Sequence, residues 1–293
     1  MESKSLIGVD LGGTNMRVGR IKDGRVAALA SRPTPATAPE EAVLEALAAL
    51  IAEVFTSEVA AIGVGVPSVV DESQGIVYHV ENIPSWQEVR LGEFLMKRFE
   101  RPVCVNNDAN CFAVGEFHFG QGQGFRHVIG LVVGTGLGAG VIMNGQLYTG
   151  SNCGAGELGT MPYRDHTFEY YASGQAFERD HGLAGSVVHS LAMKGDPRAL
   201  EILASFGREF GQVIMATLYA FDPELIILGG SVSKAFPFFE TGMRQTLGAY
   251  SYQHALRRLL IRVSEEPHIA VLGAAALCLE TRPGGLPASV LGR

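Results

Sequence analysis

Residues 7–26 read IGVDLGGTNMRVGRIKDGRV, and residues 129–148 read IGLVVGTGLGAGVIMNGQLY. Both stretches contain, in the same order, an apolar run, a Gly-Thr turn, a second apolar run and an Asx-Gly pair. Short apolar runs bounded by glycine predict strands, and Asp23-Gly24 and Asn144-Gly145 are favoured dipeptides of type I′ hairpin turns. Each stretch therefore predicts strand, turn, strand, hairpin turn and strand.

The two copies begin about 120 residues apart. A duplication at this distance predicts two related domains with a cleft between them, and clefts of this kind commonly hold ligands. We expect an N-terminal α/β domain over 1–116 and a larger C-terminal α/β domain over 117–293. The C-terminal helix is a candidate to complete the first domain.

Strands and helices alternate along the rest of the chain, which is typical of the α/β class. Apolar residues at helical spacing, with Pro and Gly as boundaries, predict helices at 40–55, 91–99, 109 onward, 196–221, 231 onward and 271–279. Short apolar runs predict further strands at 60–66, 75–80, 102–106, 225–228 and 259–263. The Pro- and Gly-rich tail from Thr281 is expected to be loose.

The composition excludes several classes of protein. The 293 residues include 37 glycines, and 23 basic against 30 acidic residues give a formal charge of −7. With 47% hydrophobic and only 18% charged residues, the chain is too apolar to be disordered. The glycines have no three-residue period, which excludes a collagen-like chain. The acidic balance argues against a nucleic-acid partner.

The location is also constrained by the sequence. The longest apolar runs fall far short of the ~20 residues that a bilayer requires, and the N-terminus lacks the features of a signal peptide. We therefore expect a cytoplasmic protein with no membrane partner. Its four cysteines lack C-x-x-C spacing, so we expect reduced thiols, most of them buried, and no zinc site of the usual kind.

Glycine-rich turns follow several predicted strands. They are Gly12-Gly13-Thr14, Gly134-Thr135-Gly136, Gly138 to Gly140 and Gly229-Gly230. Glycine lets backbone N–H groups approach an anion, and threonine adds a hydroxyl donor. One such turn is more often a simple turn, but the recurrence in matching units favours phosphate binding. Neither a P-loop nor a G-x-G-x-x-G turn that opens a helix is present.

Four carboxylates lie beside small or polar residues. Asp10 adjoins the first glycine turn, where it either caps the turn or faces phosphate through Mg²⁺. Asp108 follows a predicted strand and is either the N-cap of the next helix or a general base. Glu157 and Glu169 are either surface residues or acceptors for the hydroxyls of a polyol.

Together these residues resemble the ROK family of sugar kinases, within the actin and hexokinase superfamily. The similar segments cover nearly the whole chain; they are Asp10–Asn15, Gly63–Pro67, Asn82–Trp86, Asn107–Asn110, Gly134–Gly140, Gly150–Gly159 and Ile226–Gly230. The resemblance implies an α/β fold of the actin/hexokinase type (ribonuclease H-like), with two domains, duplicated sheet units and an interdomain cleft.

The resemblance also implies roles for individual residues. Asp108 is then the base that accepts the proton of the attacking sugar hydroxyl, and Asp10 holds Mg²⁺. Other sugar hydroxyls are bound by Asn107, Glu157 and Glu169. The residues expected to bind ATP are Gly12, Gly13, Thr14, Gly134, Thr135 and Gly230. The glycine surplus is then expected to serve close approach of the backbone to ATP and sugar.

The chain departs from the family in one segment. Many members have Glu-x-Gly-His followed by a zinc cluster of cysteines, whereas this chain has Thr160 in place of the histidine and lacks the cluster. We therefore expect no structural zinc and a changed sugar pocket at Thr160. Glu169 is assigned only by its distance from Ser173-Gly174.

The function expected from the resemblance is an ATP-dependent hexose kinase with glucose favoured, and fructose and N-acetylmannosamine are the alternative substrates. The family also includes sugar-sensing transcriptional regulators, which carry a winged-helix segment before the first Gly-Gly-Thr turn. Only nine residues precede Asp10, so we expect a kinase. An actin-like or chaperone-type ATPase without a sugar site is disfavoured by Asn107, Asp108 and Glu157. The family resemblance further implies a homodimer.

Overall fold

The computed structural model describes residues 4–279. Its strands are β1 (Ser5–Leu11), β2 (Asn15–Lys22), β3 (Arg25–Pro33), β4 (Val59–Val66), β5 (Val69–Asp71), β6 (Ile76–Tyr78), β7 (Glu88–Val89), β8 (Val103–Asn107), β9 (Val128–Val133), β10 (Leu137–Met143), β11 (Gln146–Leu147), β12 (Pro162–Tyr163), β13 (His166–Thr167), β14 (Leu225–Gly229) and β15 (Leu260–Val263). The predicted tail from Thr281 lies outside the described residues.

The α-helices are α1 (Glu40–Val54), α2 (Leu91–Phe99), α3 (Asp108–Phe119), α4 (Phe168–Ala172), α5 (Gln175–His181), α6 (Gly185–Ala192), α7 (Pro197–Phe221), α8 (Phe236–Leu247), α9 (Gln253–Leu256) and α10 (Ile269–Ala276). Single 3₁₀ turns form at Leu158–Thr160, Val232–Ala235 and Leu277–Leu279. Within residues 4–279, no helix is both long and apolar enough to cross a bilayer.

The chain divides into two compact units. Unit 1 holds the described residues of 1–123, 146–155 and 266–293, and unit 2 holds 124–145 and 156–265. Unit 1 therefore includes α10, which lies near the end of the described chain. The domain boundary that the sequence predicts between 116 and 117 stays a prediction.

The unit 1 sheet has the strand order β3-β2-β1-β4-β8. The pairs β1–β2 and β2–β3 are antiparallel hairpins, whereas β1, β4 and β8 run parallel. The β2–β3 turn has positive φ at Asp23 and Gly24, as a type I′ turn requires. The carboxyl ends of β1, β4 and β8 meet at one edge of the sheet because these strands are parallel.

The unit 2 sheet repeats this arrangement. β9 pairs antiparallel with β10 and parallel with β14, and β14 pairs parallel with β15. Gly8 faces Gly19 in the first hairpin, and Gly130 faces Gly140 in the second. The predicted duplication of the strand-turn-strand unit is confirmed.

The long helix α7 forms as its sequence predicts. Asp196 caps it by accepting the Ala199 N–H at 2.9 Å, and Pro197 occupies the first turn, where no N–H is needed. Its apolar face packs on α8 so closely that a Cβ at Gly207 would lie 2.1 Å from the Phe239 carbonyl oxygen. This contact buries the core of unit 2.

Several glycines of unit 1 serve helix packing. A Cβ at Gly8 would lie 1.9 Å from the Val271 carbonyl oxygen, and a Cβ at Gly63 would lie 1.7 Å from that of Ala274. On its other side α10 approaches α3, where a Cβ at Gly273 would lie 1.7 Å from the Cys111 carbonyl oxygen. The expectation that the glycine surplus serves ATP and sugar is therefore wrong for these positions, because backbone meets backbone there.

Candidate active site

Asp10 lies at the carboxyl end of β1, opposite Arg17 of β2 and beside Gly65 of β4. Its side chain is 23% exposed, and its Oδ2 atom is 3.9 Å from Arg17 Nη1. Burial raises the pKa of Asp10, and the Arg17 guanidinium opposes this shift. A partly buried carboxylate with so distant a cation fits a site for a divalent ion, since an ion would offset the cost of burial.

The first glycine turn connects β1 to β2. The Gly12 N–H donates to the Asn15 carbonyl at 3.0 Å, and Thr34 Oγ1 donates to the Gly12 carbonyl at 2.6 Å. A Cβ at Gly13 would lie 2.3 Å from the Cβ of Asn82, so only glycine fits beside that residue. Thr14 is exposed at the tip of the turn.

Asp108 begins α3 and does not cap it. Asn107 is the N-cap, because its Oδ1 accepts the Ala109 N–H at 2.8 Å and the Asn110 N–H at 3.4 Å. The N-cap interpretation of Asp108 is therefore wrong, although its Oδ1 also accepts the Ala109 N–H at 2.8 Å. Asn107 Nδ2 donates to the Ser68 carbonyl at 3.3 Å, so both ends of this amide contact protein.

The buried thiol of Cys111 lies close to both Asp10 and Asp108. Cys111 is 1% exposed, and a Cβ at Gly65 would lie 2.9 Å from its sulfur. Burial raises the pKa of Cys111 well above that of an ordinary thiol, and the nearby carboxylates of Asp108 and Asp10 raise it further. Unit 1 thus brings both predicted carboxylates to the same sheet edge, with the thiol close to each.

A polar network that the sequence analysis missed lies behind Asp108. Asn106 Nδ2 donates to Glu72 at 3.0 Å, and Asn110 Nδ2 donates to Asn106 Oδ1 at 2.9 Å. The Cys153 thiol donates to the same Asn106 oxygen at 3.3 Å. Because Asn106 and Asn110 are almost completely buried, these bonds fix the corner between β8 and α3. The only indication of this network in the sequence is the pair Asn106-Asn107 at the end of a predicted strand.

The second glycine turn, Gly134–Gly136, lies in unit 2. The Gly134 N–H donates to the Gly136 carbonyl at 3.0 Å, and the Gly174 N–H donates to the Gly134 carbonyl at 2.7 Å. Gly230 has φ +84°, and a Cβ there would lie 2.3 Å from the Val133 carbonyl oxygen. By contrast, the Cβ direction at Gly134 is open to 4.0 Å, and Thr135 is exposed. This open, amide-rich turn fits an approaching phosphate.

Glu169 lies against that turn. Its Oε2 accepts the Leu137 N–H at 2.7 Å and would be 2.5 Å from a Cβ at Gly136. Partial desolvation raises the pKa of Glu157, and the charge of Glu169 raises it further. Unit 2 therefore brings these two predicted carboxylates close enough to repel each other.

Thr160 is exposed, and its hydroxyl donates to the Glu157 carbonyl at 2.9 Å. The residue thus closes the 3₁₀ turn that begins after Glu157. The Thr160 side chain, held in this way, reaches less far than a histidine side chain would at the same position.

The segment in which we expect no zinc cluster forms the β12–β13 hairpin. Tyr163 stacks on Phe168 with ring centroids 4.8 Å apart, and its hydroxyl donates to Glu209 at 3.0 Å. Arg164 pairs with the same Glu209 at 3.0 Å. No group of three or more metal-ligating side chains occurs within residues 4–279.

The candidate residues fall into two sets. Unit 1 holds Asp10, Gly12, Gly13, Thr14, Asn107 and Asp108. Unit 2 holds Gly134, Thr135, Glu157, Thr160, Glu169 and Gly230. Unit 1 therefore holds one of the glycine turns and unit 2 holds two, each unit together with carboxylates.

Comparison with known proteins gives the family. Residues 6–281 match the ROK family. The chain is 32% identical to a glucokinase of Thermotoga maritima over 318 residues, which is 97% of this chain and 100% of that protein. It is 28% identical to an N-acetyl-D-glucosamine kinase of Haemophilus influenzae, over 93% of this chain and 98% of that protein.

Among solved structures, a ROK glucokinase of Streptomyces griseus in complex with glucose and AMPPNP superposes with a TM-score of 0.81. It is 28% identical, over 93% of this chain and 98% of that chain. The predicted fold of the actin/hexokinase type is thereby confirmed. The match over most of its length shows that the chain belongs to the ROK family.

Proposed function

We propose that this ATP-dependent sugar kinase phosphorylates a hexose, and that glucose is the favoured hexose. One observation of the structure carries the proposal. Asp108 and Asp10 lie at the same sheet edge, with the buried Cys111 thiol close to both. A sugar kinase needs one carboxylate for the acceptor hydroxyl and one for the metal that accompanies ATP.

Asp108 is the base in this proposal. It accepts the proton of the attacking sugar hydroxyl, and the N–H of Ala109 holds one of its oxygens in place at 2.8 Å. Asn107, Glu157, Glu169 and Thr160 bind or border the other sugar hydroxyls. The oxygen of Asn107 already caps α3, so its contribution to sugar comes from the amide hydrogens.

The glycine turns bind ATP in this proposal, through Gly12, Gly13, Thr14, Gly134, Thr135 and Gly230. The N–H groups of Gly12 and Gly134 already donate within their turns, so the donors to phosphate are other backbone amides and the hydroxyls of Thr14 and Thr135. Such donors carry no positive charge, which suits a chain of net charge −7. Asp10 holds Mg²⁺. When bound, ATP supplies the phosphoryl group and Mg²⁺ neutralises the charge that develops on it.

The identity of the sugar depends on the pocket near Glu157. Fructose and N-acetylmannosamine are the alternatives to glucose, and the similarity to the Haemophilus influenzae enzyme adds N-acetylglucosamine to the sugars worth testing. Thr160, held to the Glu157 carbonyl, reaches less far than histidine. Position 160 would therefore distinguish sugars that carry a bulky substituent from sugars that do not.

The proposed setting is the cytoplasm, where ATP and free sugars are the partners. We also propose a homodimer, on the strength of the family resemblance, and no nucleic-acid or membrane partner. The acidic net charge supports the absence of a nucleic-acid partner.

The test is a screen of ADP release with glucose, fructose, mannose, N-acetylmannosamine and N-acetylglucosamine at saturating Mg²⁺ and ATP. We expect the highest kcat/KM with glucose. A higher kcat/KM with any other sugar would overturn the choice of glucose. Absence of turnover with every sugar, together with measurable sugar binding, would point to a sugar-sensing protein without catalysis.

A further inference from the structure

A row of small residues crosses the unit 1 sheet beneath α10. Gly8, Gly63 and Cys104 are successive partners in the register of β1, β4 and β8. Because the first two lack side chains, the carbonyl of Val271 approaches Gly8 and that of Ala274 approaches Gly63. The helix therefore crosses β1 and then β4.

A cysteine lies just beyond this helix. Cys278 follows Ala274 by four positions and belongs to the 3₁₀ turn Leu277–Leu279, which directly continues α10. Its side chain makes a hydrogen bond with that of Cys104, and both thiols line a cavity of about 1280 Å³ in unit 1. At β1 and β4 the backbone of α10 lies against glycine. At β8 the thiol of Cys278 meets that of Cys104.

The two thiols of this pair differ in acidity. The hydrogen bond from Cys278 lowers the pKa of Cys104, which favours its thiolate. The same bond, together with burial, raises the pKa of Cys278 well above that of an ordinary thiol. Cys104 is half-buried and is thus the nucleophile of the pair, whereas Cys278 retains its proton.

We propose that Cys104 and Cys278 form a redox-active pair, which hydrogen peroxide oxidises to an intrachain disulfide. The inference stands apart from the kinase reaction, since neither residue belongs to the candidate active site. The link would fasten the end of α10 to β8, the strand that leads to Asp108.

The chemistry proceeds in two balanced steps. The Cys104 thiolate attacks one oxygen of the peroxide, the O–O bond breaks, and the departing hydroxide takes a proton to become water. The Cys278 sulfur then attacks the resulting sulfenic acid of Cys104. The S–O bond breaks, and hydroxide leaves with the Cys278 proton as a second water. Two thiols are oxidised while one peroxide is reduced.

The other two cysteines are placed to remain reduced. Burial and the carboxylates of Asp108 and Asp10 hold the pKa of Cys111 far above that of a reactive thiol. The Cys153 thiol is buried and donates to Asn106 Oδ1. Oxidation should therefore select one pair among four thiols.

The test counts thiols in full-length protein. Reduced protein is treated with hydrogen peroxide, freed of it, unfolded and titrated with a thiol reagent. We expect a fall from four thiols to two, and a return to four after dithiothreitol. A count that stays at four, or a loss that dithiothreitol does not reverse, would overturn the proposal.

Peptide mapping identifies the partners. Trypsin should leave Cys104 in peptide 99–126, together with Cys111, and Cys278 alone in peptide 263–293. We expect these two peptides to be linked, and a Cys111→Ala variant to lose two of its three thiols through the same link. A link that involves Cys153, or one between two chains, contradicts the assignment. The mapping uses unsubstituted protein, so a variant that fails to fold leaves the result standing.

Discussion

At the corner between β8 and α3, the neighbouring residues Asn107 and Asp108 have different roles. Asn107 ends the strand and supplies the cap oxygen for α3, which leaves Asp108 as the first helical residue. A carboxylate at the first turn of a helix is stabilised in its ionised form by the helix dipole. This placement suits a base that must be ionised before it accepts a proton.

Replacing Asp108 with Asn tests that role. We expect kcat for sugar-dependent ADP release to fall by roughly 10²–10⁴, because the amide cannot accept the hydroxyl proton. Binding of a non-hydrolysable ATP analogue, measured by calorimetry, should stay nearly unchanged. Retention of turnover would remove Asp108 from the reaction.

Asp23→Asn is the matched control for this substitution. Asp23 lies in the β2–β3 turn with φ +52°, a conformation that Asn adopts as readily as Asp does. We expect its kcat to match that of the unsubstituted protein. An equal loss in both variants would show that the effect arises from folding rather than from the base.

The Glu157–Glu169 pair predicts a pH dependence of sugar binding. Burial and the charge of Glu169 raise the pKa of Glu157, so its carboxylate takes up a proton at a higher pH than an ordinary Glu does. The KM for sugar should therefore rise as the pH falls through that raised pKa. In Glu169→Gln the pKa of Glu157 drops, so the rise in KM should begin at lower pH.

The control here is Glu178→Gln, an exposed residue of α5. Its KM should follow the same pH profile as the unsubstituted protein. If Glu169→Gln leaves the acid side of the profile unmoved, the repulsion between the two carboxylates does not control sugar binding.

At the scale of elements, α10 is the helix that most constrains unit 1. It packs against β1 and β4 on one side and against α3 on the other, and glycines stand at each point of contact. No side chain separates these backbones, so the contact has no flexible group that can move aside. A single added methyl group must therefore displace the whole helix.

Gly63→Ala tests this packing. The new Cβ would lie 1.7 Å from the Ala274 carbonyl oxygen, far inside contact distance. We expect the free energy of unfolding, measured with urea, to fall by about 1–3 kcal/mol. Gly154→Ala is the control, since an added Cβ there meets nothing within 4 Å, and its free energy of unfolding should change by less than about 0.5 kcal/mol. Equal stability of the two variants would contradict the packing argument.

The elements also show what a sequence can predict. α1 and α7 are long and periodic, and both were predicted to within a residue or two of their observed ends. β12, β13 and α4 have two to five residues each, which is too short for a periodic pattern to emerge. Tyr163 of β12 stacks on Phe168 of α4, a contact that depends on the folded chain and leaves no periodic pattern in the sequence.

The residues of the candidate site likewise differ in how well the sequence predicts them. The carboxylates and glycine turns carry local signals, so sequence alone could name them. The choice of Asn107 over Asp108 as N-cap depends on one backbone geometry, and both residue types are good caps. The glycines under α10 could not be told from phosphate-binding ones, because the partner backbone lies some 200 residues away in the chain.

At the scale of the whole molecule, the two units repeat one plan in which a hairpin is followed by a parallel strand. The duplication leaves each unit with a glycine turn at the end of its first strand. Under the proposed function, backbone amides of these turns bind the phosphates of ATP, which suits a chain of net charge −7.

The metal content of the whole chain is a further prediction. Aromatic stacking of Tyr163 on Phe168 and the Arg164–Glu209 ion pair hold the β12–β13 segment, in which we expect no zinc. We expect purified protein to contain far less than one zinc per chain by mass spectrometry of the elements. One zinc per chain that survives dialysis against a chelator would contradict this expectation.

The position of α10 in the chain has a consequence for biosynthesis. Most of unit 1 is translated before unit 2, yet its sheet is covered by residues 269–276, which are translated after all of unit 2. The nascent chain must therefore carry an incomplete first core while the second unit is translated and able to fold. Slow translation or termination ahead of residues 269–276 would leave the glycine-lined face of the first sheet exposed to chaperones and proteases.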